Sequence, residues 1–122
     1  MNEIEIDVLT TYVEEESDPI KDRYVFAYTI TISNNSAAAA QLMNRHWFIT
    51  NGEGICQEVH GPGVVGQQPI IQPTEAFRYT SGSIIETVFG TMEGYYEFRN
   101  QNGQEFRAQI PLFSLSVPNA IH

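Results

Sequence analysis

From Tyr24 to Ile32 every second residue is large and apolar: Tyr24, Phe26, Tyr28, Ile30 and Ile32, with Val25, Ala27, Thr29 and Thr31 between them. Successive side chains of a strand point to opposite faces, so this period of two predicts a strand with one core-facing side. The first segment repeats the pattern, with Ile4, Ile6, Val8, Thr10 and Tyr12 on one side and Glu3, Glu5 and Asp7 on the other. A polar stretch from Glu14 to Asp22, broken by Pro19, separates these two strands, and Asn34-Asn35-Ser36 closes the second with turn-favouring residues. A third strand is expected from Gln41 to Thr50 with Trp47 buried, then a hairpin loop at Asn51-Gly52-Glu53-Gly54 and a return strand from Ile55 to His60. Beyond a Gly- and Pro-rich stretch, Phe77, Tyr79 and Ser81 alternate again, and a strand from Thr91 to Arg99 carries Met92, Tyr96 and Phe98 inward. Asn102-Gly103 joins it to a last strand, Glu105 to Ile110, with Phe106, Ala108 and Ile110 inward. No window of eleven residues carries a helical period, and the alanine run 37–40 is too short to make one.

About seven short strands punctuated by turns predict an all-β, antiparallel sandwich of immunoglobulin or fibronectin type III form. Trp47 stands where such sandwiches bury a tryptophan, and Gly94-Tyr95-Tyr96 resembles a tyrosine corner near a strand start. At 122 residues the chain has room for a single domain, 1–122.

Charge narrows the choice of partner. Fifteen acidic residues against six basic ones give a net charge of -9, a surface that repels phosphate backbones and anionic lipid; nucleic acid and membrane are therefore not expected partners. The acidic run Glu14-Glu15-Glu16-Ser17-Asp18 reads as a solvated loop before it reads as a cation site. The opening Met1-Asn2-Glu3-Ile4-Glu5 has neither the basic nor the apolar region of a secretory signal, and with no apolar run of membrane-spanning length a cytoplasmic location is expected. The lone Cys56 has no internal disulfide partner.

The segment Gly61-Pro62-Gly63-Val64-Val65-Gly66 spells G-x-G-x-x-G, the pattern that cradles a dinucleotide pyrophosphate. That fingerprint needs a strand leading into a helix, and here Gln67-Gln68-Pro69 and further turn and strand residues follow instead. Three readings stay open. Backbone N–H groups of Gly61, Gly63 and Gly66 form a concavity for an anion; the glycines let the chain cross between sheets while Val64 and Val65 plug the core; or Val64 and Val65 form an apolar tip that touches another protein. His46, His60, Cys56 and His122 are the soft metal-ligand candidates, but Cys56 and His60 lie about 13 Å apart along one strand and no zinc spacing is present, so no metal or other cofactor is expected. Thr80, Ser81 or Ser83 with His46 or His60 and Glu86 would supply the residue types of a nucleophilic triad without any local motif, and Glu14 with Asp18 pairs carboxylates with equal lack of specificity; no catalytic residues are assigned.

Several segments in order carry a family likeness: Arg23-Tyr24-Val25-Phe26-Ala27-Tyr28, Arg45-His46-Trp47-Phe48-Ile49-Thr50-Asn51, Gly61 through Pro69, Phe77-Arg78-Tyr79-Thr80-Ser81-Gly82, Gly90-Thr91-Met92-Glu93-Gly94-Tyr95-Tyr96, and Val117 through His122. Nearly end to end, the chain resembles the bacterial ApaG family. That resemblance implies a fibronectin- or immunoglobulin-like sandwich, an association with cobalt resistance and magnesium efflux, and related domains that serve as interaction modules in larger proteins. It brings no catalytic residues, and it suggests pyrophosphate binding at the positions of Gly61, Gly63 and Gly66. Where the family commonly has Pro-Gly, this chain has Pro73-Thr74, and threonine there predicts a type I turn in place of type II. The expected function is thus a non-catalytic module that binds a protein whose identity the sequence does not give. A nucleotide or pyrophosphate binder is the alternative, and a hydrolase of dinucleoside polyphosphates comes third.

Overall fold

The structure, a computed structural model, describes residues 3–118, so the candidate His122 and the residues 119–122 of the family likeness lie outside it. Eight strands form: β1 (Ile4–Tyr12), β2 (Tyr24–Asn34), β3 (Ala40–Asn51), β4 (Cys56–Pro62), β5 (Ile70–Ile71), β6 (Ala76–Ile85), β7 (Phe89–Asn100) and β8 (Glu105–Ser116). They make two antiparallel sheets, one ordered β1-β2-β6 and one ordered β4-β3-β7-β8 with the two-residue β5 paired to the start of β3. The fold is the expected all-β sandwich, and short 3-10 turns at Glu14–Glu16 and Pro19–Lys21 take up the acidic stretch. Among the described residues no helix is long and apolar enough to cross a membrane.

The period-two faces become the core. Phe26, Tyr28, Ile30 and Ile32 of β2 meet Leu42 and Trp47 of β3, Met92, Tyr96 and Phe98 of β7, and Ala108, Ile110 and Leu115 of β8. Trp47, 2% exposed, lies edge-on to Tyr28, Tyr96 and Phe113 with ring centroids 5.5, 6.4 and 5.9 Å away. A bulge between Leu42 and Asn44 reverses the parity of β3, so the inward side passes from Ala40 and Leu42 to Trp47. At the end of β2 the fully buried Asn34 amide donates to the carbonyls of Ala38 and Ile71 (2.9 and 2.8 Å) and accepts from Ser36, tying the β2–β3 loop to β5.

Three local expectations are corrected. Gly94-Tyr95-Tyr96 lies in the middle of β7, and the Tyr96 hydroxyl bonds the Tyr79 hydroxyl of the opposite sheet, so there is no tyrosine corner. The Pro73-Thr74 turn, closed by Glu75 N–H donating to Gln72 O at 3.0 Å, holds Thr74 at φ 68°: this is the positive φ of a type II turn, taken by a threonine. The last strand runs past Pro111 to Ser116, because β8 is an edge strand and a proline there has no ladder partner to forfeit.

Candidate functional site

The glycine segment is a rigid corner at the end of β4. Gly61 sits within the strand opposite Arg45, and Gly63 N–H donates to Met43 O at 2.9 Å. Val64 and Gln67 exchange both backbone bonds (2.8 and 2.9 Å) around Val65 at φ 43° and Gly66 at φ 78°. Positive φ at both central positions defines a type I′ turn, whose inner slot normally takes Asn, Asp or Gly. Gly63 is obligatory for close approach, since a Cβ there would stand 2.1 Å from the Gln67 carbonyl oxygen. The two valines separate: Val64 is 1% exposed and fills the core, whereas Val65 is 53% exposed at the tip. Three of the segment's N–H groups, those of Gly63, Val64 and Gln67, are thus committed to the chain's own carbonyls.

Under this corner lies Arg45, whose Nη1 donates to the carbonyls of Pro62 and Gly63, both at 3.1 Å. The guanidinium runs beneath Gly61, where a Cβ would meet Nη1 at 3.2 Å. Among the described residues Arg45 makes no ion pair, so its charge stays beside the turn without a carboxylate.

On the outer face of the larger sheet, pairing register brings four side chains from four strands into one pile. Arg107 of β8 lies 4.2 Å from the Tyr95 ring of β7, Tyr95 stacks on His46 of β3 at 4.9 Å, and His46 stacks on His60 of β4 at 5.5 Å. Hydrogen bonds fix the middle of it. His46 Nε2 lies 2.7 Å from Glu58 Oε2, and the Tyr95 hydroxyl lies 3.1 Å from His46 Nδ1. A carboxylate only accepts, so Nε2 carries a proton, and the Tyr95 hydroxyl serves Nδ1 in whichever role remains. Asn44 Nδ2 donates to Glu97 Oε1 at 3.1 Å, and Arg107 lies 3.7 Å from Glu97 Oε2. Between the pile and Pro62, Asn44 and Glu97 is a depression of about 300 Å³ whose floor includes Gly61. A larger one of about 830 Å³ is the seam between the sheets, lined by β1, the β2–β3 loop and β8, and holds none of the sequence candidates.

The other candidates are not brought together. Thr80 Oγ1 bonds Thr29 Oγ1 on the outer face of the smaller sheet, Ser81 bonds Tyr28, and Ser83 is buried. Glu86 accepts from Asn51 Nδ2, whereas His46 is bonded to Glu58 and Tyr95. Among the described residues no group of three or more His, Cys, Asp or Glu is arranged to hold a metal ion. The sequence reading missed Arg45, Glu58, Tyr95 and Arg107. The His46 and His60 pairing was within reach, because the loop at Asn51–Ile55 sets the register of β3 and β4; the β7 and β8 members come from distant pairings that no local pattern announces.

The ApaG domain family matches residues 14–100. A relative from Azoarcus sp. strain BH72, Protein ApaG, is 53% identical over 119 residues covering 98% of this chain and 94% of its own, and one from Pseudomonas putida strain W619, also Protein ApaG, is 49% identical over 120 residues covering 98% and 95%. A crystal structure from Bordetella pertussis superposes with a TM-score of 0.93 at 47% identity, covering 96% of this chain and 95% of that one. A structural-genomics X-ray structure, target SoR45, reaches the same TM-score at 44% identity, covering 98% and 91%.

Proposed function

The chain belongs to the ApaG family, and from that premise we propose that it is a non-catalytic module that binds a protein partner through the tip of its glycine-rich turn. One observation carries the reading: an exposed β-branched residue, Val65, is held at φ 43°. Backbone strain of this kind costs on the order of 1–3 kcal/mol and persists where the surroundings over-determine it, which concentrates it at recognition and catalytic sites. Here the surroundings are the double Val64–Gln67 bond, the buried Val64 and the Arg45 clamp on Pro62 and Gly63. An apolar tip on a rigid base is pre-organised for contact, so little ordering entropy opposes association. Val65→Asp keeps the exposed position and replaces its surface with a charge. In affinity capture from a native lysate, a partner retained by the unaltered chain should be released by Val65→Asp at equal folded concentration; identical retention would end the reading.

A second reading is favoured by Arg45. Its charge, unmatched by a carboxylate among the described residues, lies beside a turn whose Val65 and Gly66 are exposed, an arrangement suited to a nucleotide phosphate or pyrophosphate held at Gly66 beside Arg45, with Gly61 and Gly63, whose own N–H groups are bonded to β3, shaping the corner. Amide titration with millimolar ATP, with and without magnesium, separates the two: shifts centred on Gly61, Gly63 and Gly66 support the anion site, and unmoved amides remove it.

A further inference from the structure

The ring pile on the larger sheet stops at a sheet edge. Among the described residues β4 pairs only with β3, and its place at the end of the order β4-β3-β7-β8 leaves one side of it open. The bonds Asn51 N–H to Ile55 O and Gly63 N–H to Met43 O fix which residues face β3. By antiparallel alternation Gln57, Val59 and Gly61 turn their backbone groups to β3, while Cys56, Glu58 and His60 turn theirs away. Their side chains are exposed as well. The members of the pile lie 4.2, 4.9 and 5.5 Å apart, close to the spacing of neighbouring strands, so each strand adds one planar group and His60 presents a bare face where a fifth would continue the series. Glu58, on the same outer face two residues away, uses Oε2 for His46 and keeps Oε1 for another donor.

We propose that the open edge of β4 takes up an extended, arginine-bearing segment of a partner protein as an added strand, with the arginine guanidinium stacked on His60 and hydrogen-bonded to Glu58. Guanidinium is the group that satisfies both sites, being planar, cationic and forked, and Arg107 already shows it at the opposite end of the same pile. Charge selects the same occupant: with a net charge of -9 the chain repels a second copy of itself and attracts a basic segment. The other edges fit less well. β8 carries Pro111 and its own Arg107, β1 lies against β8, and the free side of β6 presents Arg78, which repels a cation. Main-chain bonds would supply affinity and the His60–Glu58 pair the selectivity, as in other cases of strand addition.

This inference rests on the reading of the chain as a protein-binding module and is tested apart from it. The probe is a backbone-cyclised hairpin peptide whose free edge alternates Thr and Ser around one Arg, titrated to millimolar concentration into the isotope-labelled full chain. Amides of Cys56, Glu58 and His60 should shift and exchange more slowly. Replacing the peptide Arg by Gln, or Glu58→Gln with His60→Ala in the protein, should weaken binding at least tenfold. Glu58→Pro removes an outward N–H without breaking the β3 ladder and should abolish it, as should N-methylation of the peptide's facing amides. Shifts centred on Arg78, Thr80 and Gly82 of β6, no shift at all, or binding indifferent to N-methylation would each overturn the proposal. If the hairpin binds as expected while Val65→Asp leaves partner capture unchanged, the loop reading falls and the edge stands; the reverse pattern sinks the edge alone.

Discussion

Among the described residues three side chains sit at positive φ, and besides Asp22, a residue type that tolerates it, two of them hold conformations that suit glycine better. Val65 at φ 43° and Thr74 at φ 68° are both β-branched, and left-handed backbone costs an L-residue roughly 1–2 kcal/mol. Against this stands the extra unfolded-state freedom of glycine, about 0.5–1 kcal/mol. Thr74→Gly should therefore stabilise the fold by about 0.5–1 kcal/mol, read as a higher urea midpoint at constant slope; a loss of stability would show that the Thr74 side chain contributes more than its backbone costs. Val65→Gly should gain a similar amount and yet weaken partner capture, which separates strain kept for contact from strain that is merely tolerated. Neither conformation was legible in the residues. The Pro73-Thr74 pair predicted the relaxed turn, because local preference is the only term visible without the neighbours; the bond from Thr74 N–H to Asn34 O, at 2.8 Å, ties the turn to the end of β2 and is non-local.

At the scale of elements, the two hairpins β3–β4 and β7–β8 are built by one device. Asn51 Oδ1 accepts from the N–H groups of Glu53 and Ile55, and Asn100 Oδ1 accepts from those of Asn102 and Gln104. In each a glycine at positive φ, Gly54 or Gly103, closes a three-residue loop. The asparagines act as hydrogen-bond acceptors at the loop mouth. Asn100→Ala removes two acceptor contacts at an exposed loop and should cost about 1–2 kcal/mol by urea denaturation, whereas Asn100→Asp, which keeps the acceptor, should cost less than half of that. Equal losses would assign the effect to the Asn100 Nδ2 bond to Gln104 instead. Strands themselves were legible where alternation was unbroken: β1 runs from Ile4 to Tyr12 and β2 starts at Tyr24, as the pattern has them. The expected last strand stops short at the bulge of β8, where one extra residue reverses the faces, and β5 goes unread because its two residues are too few to show a period. The outer-face pile suffered the same way, for Tyr95 joins His46 only through the pairing of β3 with β7.

For the molecule as a whole, the two sheets are joined at their centre by the Tyr79 and Tyr96 hydroxyls, and Tyr28 lies nearby with Ser81 as its partner. Burial is the first cause that pushes all three phenols above their ordinary value of 10.0, because an apolar interior disfavours the phenolate; Arg45, at the rim, opposes the rise at Tyr28 and Tyr79. The sign of the linkage follows. Below pH of about 10 both the folded and unfolded chains hold these protons, and the stability is complete. Above it the unfolded chain gives them up while the folded chain keeps them, so stability falls by about 1.4 kcal/mol per pH unit for each group that stays protonated, with Tyr79 and Tyr96 the most strongly raised. Self-repulsion in a chain of net charge -9 adds to the same trend. Alkaline titration should then show Tyr28, Tyr79 and Tyr96 ionising together, in one step coincident with loss of near-ultraviolet circular dichroism. Tyr96→Phe should lower stability at neutral pH by about 1–3 kcal/mol, since it strands the buried Tyr79 hydroxyl, and should flatten the alkaline slope by about 1.4 kcal/mol per pH unit. Phenolate absorbance from these three residues rising while the tertiary signal holds would mean that the sheets part locally around the hydroxyl pair, and that the two layers are held by the surrounding Trp47, Phe98 and Ile30 packing without it.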